Sequence, residues 1–153
     1  MFCEQLADML TQSYTLISKV EESMVHSAKK FNLSMNAVHL LEVMGQGEET
    51  GRTISDIAAQ LSVTLSSVTS AVNKLGKKGY VVKRRDPSDK RLVYVQLTDQ
   101  GRRVNRLHRR FHRSMAYNIA RDFSDEERDI LLSSLSKMNL FLGKKVKKLE
   151  DNK

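Results

Sequence analysis

Residues 53–97 read TISDIAAQLSVTLSSVTSAVNKLGKKGYVVKRRDPSDKRLVYVQL, and this stretch decides the architecture. Its first half carries a helical period. Thr53 is a ready N-cap for a short helix that turns Ile54, Ile57, Ala58 and Leu61 inward. Ser62 and Val63 make a tight turn, and Thr64 caps a second helix with Leu65, Val68, Val72 and Leu75 on one face and Gly79 at its end. Two short helices joined by a tight turn have helix-turn-helix geometry. The period then changes to two. Tyr80–Arg84 and Leu92–Leu97 are rich in β-branched and aromatic residues, and they enclose the turn-forming segment Arg85–Arg91 with the chain's one proline, Pro87. A hairpin placed directly after the second helix is a wing.

On the N-terminal side, Leu6, Met9, Leu10, Ile17, Val20 and Met24 recur at helical spacing from Phe2 to about Lys30. Ser34 is an N-cap for a further helix through Met35, Val38, Leu41 and Met44, which Gly45 and Gly47 stop, and a polar loop is expected up to Arg52. On the C-terminal side, Thr98 caps a long helix to about Arg121 with Val104, Leu107, Phe111, Met115 and Ile119 on one stripe. Ser124 followed by Glu127 has capping-box spacing for a last helix that carries Ile130, Leu131, Leu135, Met138, Phe141, Leu142 and Val146. Lysines 144, 145, 147 and 148 suit its negative C-terminal end. The expected fold class is mainly α with a small β-hairpin wing. It is read as a single domain over 1–153, with a winged helix-turn-helix DNA-binding lobe at 34–98 flanked by dimerisation helices at 1–30 and 99–149. The apolar stripes at both ends need a partner surface, and a second copy of the chain supplies one.

Composition narrows the class of partner. The 153 residues are 40% hydrophobic and 29% charged, a globular balance, and the net charge of +8 favours polyanions. No apolar run approaches the roughly 20 residues that span a bilayer, and no signal peptide is visible, so no membrane role is expected. One cysteine, Cys3, cannot form an internal disulfide, which suits a reducing, cytoplasmic compartment. It lies near the terminus without an activating neighbour. The chain has no glycine-rich phosphate loop and no nucleophile elbow, so it is not read as an enzyme and no cofactor is expected.

The outer face of the second helix of the pair is the first candidate surface for double-stranded DNA. Behind Thr64 at the cap, it presents Ser66, Ser67, Thr69, Ser70, Asn73 and Lys74, with Lys77 and Lys78 beyond, and residues 62–78 contain no acid. Short hydroxyl and amide side chains let a helix approach base edges and bond to bases or phosphates. A solvated face is the ordinary alternative, but such faces usually include Asp and Glu. The second candidate surface is the wing. Arg84, Arg85, Lys90 and Arg91 surround a tip that can enter a minor groove, and Asp89 is placed to orient Arg91.

The order of helix-turn-helix, Gly79-Tyr80-Val81, Arg85-Asp86-Pro87-Ser88-Asp89-Lys90-Arg91 and Leu97-Thr98-Asp99-Gln100-Gly101 resembles the MarR family of winged-helix regulators. The resemblance covers nearly the whole chain. It implies a triangular dimer formed by the first, fifth and sixth helices, with a ligand pocket between that region and the DNA-binding lobe. Residues 101–115, Val63-Thr64-Leu65 and the run Met35 to His39 are similar to the fatty-acid-synthesis repressors of Gram-positive bacteria (FabT-type). That likeness implies a long-chain acyl group on acyl carrier protein as co-repressor. On that reading, Met24, Met35, His39, His108, Phe111, His112 and Met115 are the ligand-binding candidates, with Met44 as further apolar lining. Each Met or Phe taken singly fits an ordinary core equally well. Arg106, Arg109, Arg110 and Arg113 offer a basic surface for the acidic carrier; a solvated face or phosphate contact is the alternative.

His108 and His112 are four apart on one helical face, a spacing that can ligate zinc, with His39 and Glu21 or Glu22 as partners that folding could bring near. Zinc-sensing members of the same family use acids and histidines from similar places. Histidine pairs without thiolates more often serve hydrogen bonds, so no metal is assigned. The leading expectation is a dimeric repressor of fatty-acid biosynthesis genes. The rivals are a regulator of the same type that responds to zinc or a small lipophilic or phenolic compound, and a basic module that binds the carrier protein without DNA.

Overall fold

The computed structural model describes residues 1–27, 31–47, 50–89 and 92–151. The elements run α1 (Phe2–Ser27), α2 (Met35–Met44), β1 (Arg52–Thr53), α3 (Ile54–Leu61), α4 (Leu65–Lys77), β2 (Val81–Arg85), β3 (Val93–Leu97), α5 (Asp99–Ala120) and α6 (Asp125–Asp151). The fold is mainly helical with a small antiparallel wing, as expected. Two compact units, Met1–Arg106 and Leu107–Lys153, are described in turn. Among the described residues no helix is long and apolar enough to cross a membrane.

The first unit is built on a core drawn from α2, α3, α4 and the sheet. Val38, Leu41 and Met44, then Ile57 and Ala58, then Val68, Val72 and Leu75 are buried together with Val81, Val95 and Leu97. Each of these side chains larger than alanine contributes roughly 1.5–3 kcal/mol by leaving water. Local caps set the helix boundaries. Thr53 accepts from the Asp56 N–H at 3.1 Å while the Asp56 carboxylate accepts from the Thr53 N–H, a reciprocal capping box. Ser62 closes α3 in the left-handed region (φ 54°), and Thr64 accepts from the Ser67 N–H at 3.2 Å to open α4.

Two departures from the sequence reading have clear causes. Leu65 is 55% exposed and not part of the inward face, because the first turn of α4 projects past the core that begins at Val68. The expected loop before Thr53 ends in β1, which pairs Arg52 with Val95 and Thr53 with Tyr94, so the sheet has three strands in the order β1-β3-β2. Gly51 permits this pairing: it has φ +84°, and a Cβ there would crowd the Val95 carbonyl.

Gly101 is a second glycine that packing requires. A Cβ on it would collide with the Tyr80 carbonyl, so only glycine lets the start of α5 lie this close to the end of the α4–β2 connection. Thr98 closes the same joint, donating its hydroxyl to the Gly79 carbonyl at 2.7 Å and its N–H to the Tyr80 carbonyl at 3.0 Å. The Tyr80 hydroxyl in turn donates to the Phe31 carbonyl at 2.6 Å.

In the second unit, Ser124 and Glu127 form the expected capping box, at 2.8 and 3.2 Å. Arg128 donates to the Ala120 carbonyl at 3.1 Å and fastens the end of α5 to the start of α6. The stripe expected on α5 is uneven: Val104 is buried and Phe111 and Met115 are half-buried, but Leu107 and Ile119 are exposed. On α1, Met9 is 64% exposed, and on α6, Leu140 is 67% exposed, so each helix leaves large apolar side chains in solvent in the single chain.

Candidate nucleic-acid interface

Helix α4 presents its polar residues as the sequence suggested. Ser66, Ser67, Ser70, Asn73, Lys74 and Lys77 are exposed and Thr69 is half-buried. Their hydrogen bonds decide what each can still offer. The Thr64 hydroxyl lies 3.0 Å from that of Ser66 and 2.8 Å from that of Ser67, a tight cluster at the N-terminal end. Thr69 donates its hydroxyl back to the Leu65 carbonyl at 2.8 Å, so towards a ligand it can only accept. Asn73 accepts from the Lys83 ammonium at 2.6 Å, which leaves its NH2 group to donate. Lys74 and Lys77 are exposed in the last turn of the helix, whereas Lys78 is drawn to the Asn32 carbonyl at 2.6 Å.

Lys83 was not singled out from sequence, because nothing local shows that β2 brings it back to α4. The signal in hindsight is the strand period: residues alternate faces, so Lys83 and Arg85 share the side of the buried Val81, while Val82 and Arg84 face away. Arg84 and Arg85, expected to act together, therefore point to opposite faces of the wing.

The wing tip is organised by Asp86. Its Oδ1 accepts from the Ser88 N–H at 2.7 Å, the Ser88 hydroxyl at 2.6 Å and the Asp89 N–H at 2.9 Å. The Ser88 hydroxyl bond and the two N–H bonds hold the carboxyl below the usual carboxylate range. The Asp86 N–H and the Leu92 carbonyl, 3.0 Å apart, close the hairpin. Lys90 and Arg91 lie outside the described residues, so the expected contact of Asp89 with Arg91 has no structural account; Asp89 itself is exposed.

The ligand-binding and partner-binding candidates are divided between the two units. In the first, Met35 and His39 are half-buried on α2, and His39 lies 3.8 Å from the Glu21 carboxylate of α1. The side chain of Met24 lies outside the described residues, and Met44 belongs to the core. In the second, the His108 and His112 Nε2 atoms are 3.0 Å apart with the rings edge-on, and Phe111 packs edge-on to His112 at 5.5 Å between centroids. Met115 is half-buried there. Arg109, Arg110 and Arg113 are exposed in the second unit and Arg106 in the first.

Comparison with known proteins bears on this geometry. The model of the MarR family matches residues 31–92. The Bacillus subtilis HTH-type transcriptional regulator YdgJ is 30% identical over 141 residues, 90% of this chain and 80% of that protein. The crystal structure of Streptococcus pneumoniae FabT in complex with DNA superposes with a TM-score of 0.86 at 30% identity, over 92% of this chain and 97% of that one. The S. aureus MepR–DNA complex shares the fold, with a TM-score of 0.66 at 22% identity over 84% of this chain and 94% of that one.

Proposed function

Since this chain belongs to the MarR family of transcription regulators and not to an enzyme family, we propose that it is a DNA-binding repressor of fatty-acid biosynthesis genes with long-chain acyl-acyl carrier protein as co-repressor. The observation that carries the reading is the likeness to DNA-bound FabT over 92% of the chain. It is supported by an α4 face without acids that ends in two exposed lysines. On this reading the protein works as a homodimer. The apolar side chains that α1 and α6 leave exposed supply the contact, and two copies of α4 read a two-fold symmetric operator.

Within this proposal Ser66, Ser67, Thr69, Ser70 and Asn73 read bases, and Thr64, Lys74 and Lys77 hold phosphates. The wing residues Arg84, Arg85, Asp89, Lys90 and Arg91 serve the neighbouring groove. Met24, Met35, His39, His108, Phe111, His112 and Met115 remain the candidates for contact with an acyl chain. Arg106, Arg109, Arg110 and Arg113 remain those for the acidic carrier. A ligand that favours the DNA-bound form must tighten DNA binding, and DNA must tighten ligand binding by the same factor.

A second reading keeps DNA binding and replaces the signal with zinc. It draws on the His39–Glu21 pair and the His108–His112 pair, each of which offers two groups of metal-ligand type. One titration separates the two readings: operator affinity measured with acylated carrier protein, with free carrier, with zinc and with a chelator. Tightening by acylated carrier alone supports the first reading. No response to it, together with loss of operator binding on chelation, transfers the assignment to zinc.

A further inference from the structure

Away from α4 and the wing tip, and wholly within the first unit, Arg84, Gln96, Arg102, Asn105 and Arg106 line a groove of about 750 Å³ whose wall includes Gly45. Three arginines thus line one concavity. Arg102 is fixed in place, donating Nη1 to the Leu97 carbonyl at 2.6 Å and Nη2 to Asp99 at 2.5 Å. The Arg102 hydrogen bond, then the charges of Arg102 and Arg106, hold the Asp99 carboxyl below its usual range. This carboxylate bears on Arg102 and Arg106 and is not itself part of the groove's lining. Among the described residues neither Arg84 nor Arg106 is engaged in an ion pair.

Asn105 adds an independent observation. It is only 7% exposed, and among the described residues its buried Oδ1 has no hydrogen-bond partner. Buried amides are paired almost without exception, so this one is short of a partner. Gly45 makes room for it, since a Cβ at that position would collide with the Asn105 carboxamide. A carboxamide turned one way accepts from a ligand hydroxyl, and turned the other way donates to a ligand oxyanion.

We propose that this groove binds a small polyanion, a phosphate- or carboxylate-bearing metabolite with at least two negative charges. Arg84 and Arg106 neutralise it, the pre-oriented Arg102 forms the back of the site, and Asn105 contacts its polar body. Planar guanidiniums suit both oxyanions, and a side chain already held by other bonds loses little freedom on binding. A DNA phosphate carries the same oxyanion chemistry. A duplex backbone, however, meets ridges, whereas this site is concave and its amide is buried.

The test is calorimetric titration of the full chain with pyrophosphate and with citrate, at ionic strength held constant with sodium chloride. Saturable binding of either probe at one site per chain is expected. Arg84→Gln and Arg106→Gln should each weaken it at least tenfold. Arg103→Gln and Lys137→Gln, which remove equal charge outside the groove, should leave it unchanged. All four positions are exposed, so folding is preserved and is checked by circular dichroism. Non-saturable binding, or equal losses in all four variants, would reduce the groove to general charge and overturn the proposal. So would failure of both probes to bind while Arg106→Gln weakens duplex DNA tenfold, which would assign the groove to a DNA phosphate.

Discussion

The ammonium of Lys83 in β2 donates to the Asn73 Oδ1 of α4 across 2.6 Å, tying the wing to the exposed face of the helix that precedes it. Asn73 is thereby oriented with its NH2 group outward, the group that can donate to N7 or O6 of a purine. Lys83→Met should lower operator affinity although Lys83 need not touch DNA. If the lysine acts through Asn73, the Lys83→Met and Asn73→Ala losses overlap, and the double variant binds nearly as well as Asn73→Ala alone. Fully additive losses in the double-mutant cycle would show that the two side chains act independently.

The Asp86 clamp makes a prediction about the wing. Asp86→Ala removes the acceptor for three donors at the tip. Operator affinity should fall several-fold with helix content unchanged by circular dichroism. Arg91→Ala should cost more, on the order of 1–3 kcal/mol if the guanidinium reaches bases. Operator binding equal to that of the unaltered chain in both variants would remove the wing from the interface.

The same clamp has a defined pH window. Because the Asp86 carboxyl titrates below its ordinary value in the folded chain, its contribution is fully present above the unfolded-state pKa of about 3.9. That contribution is lost as pH falls from there through the lower folded value. Amide hydrogen exchange at Ser88 and Asp89 should be flat from neutral pH to about 5, after correction for intrinsic rates, and protection should drop only below the ordinary carboxylate range. Loss of protection near neutrality would implicate a different group.

Residues on α4 should separate by kind of effect. Ser66, Thr69 or Asn73 substitutions should change which operator is preferred, since base-edge contacts carry sequence information. Lys74→Ala and Lys77→Ala should weaken all sequences alike. Each should flatten the dependence of log affinity on log salt by roughly one unit, as loss of one phosphate contact does. Binding to a set of single-base operator variants at two salt concentrations distinguishes these behaviours.

Gly101→Ala tests the joint between the recognition helix and α5. The added methyl group meets the Tyr80 carbonyl, a backbone atom that cannot rotate away. A cost of about 1–3 kcal/mol is expected from overpacking, read as a lower urea midpoint with an unchanged slope. Gly143→Ala, where nothing lies within 4 Å, should instead be neutral or slightly stabilising.

Sequence by itself determined the helix-turn-helix, the hairpin, the caps at Thr53, Thr64 and Ser124, and the polar face of α4. Each of these depends on a period or on side-chain-to-backbone bonds spanning three or four residues, so the information is local. Tertiary structure alone decided that Lys83 reaches Asn73, ten residues away, that Tyr80 reaches the Phe31 carbonyl, 49 residues away, and that β1 adds a third strand. It also decided that Leu65 stands in solvent and that Arg84 lines one groove with Arg102 and Arg106. These features depend on where separate backbones meet, and no spacing within one segment encodes the distance to another. Glycine marks the boundary between the two kinds of information: Gly51 and Gly101 are visible as residues in the sequence, but the carbonyls of Val95 and Tyr80 that exclude any side chain there appear only once the chain is folded.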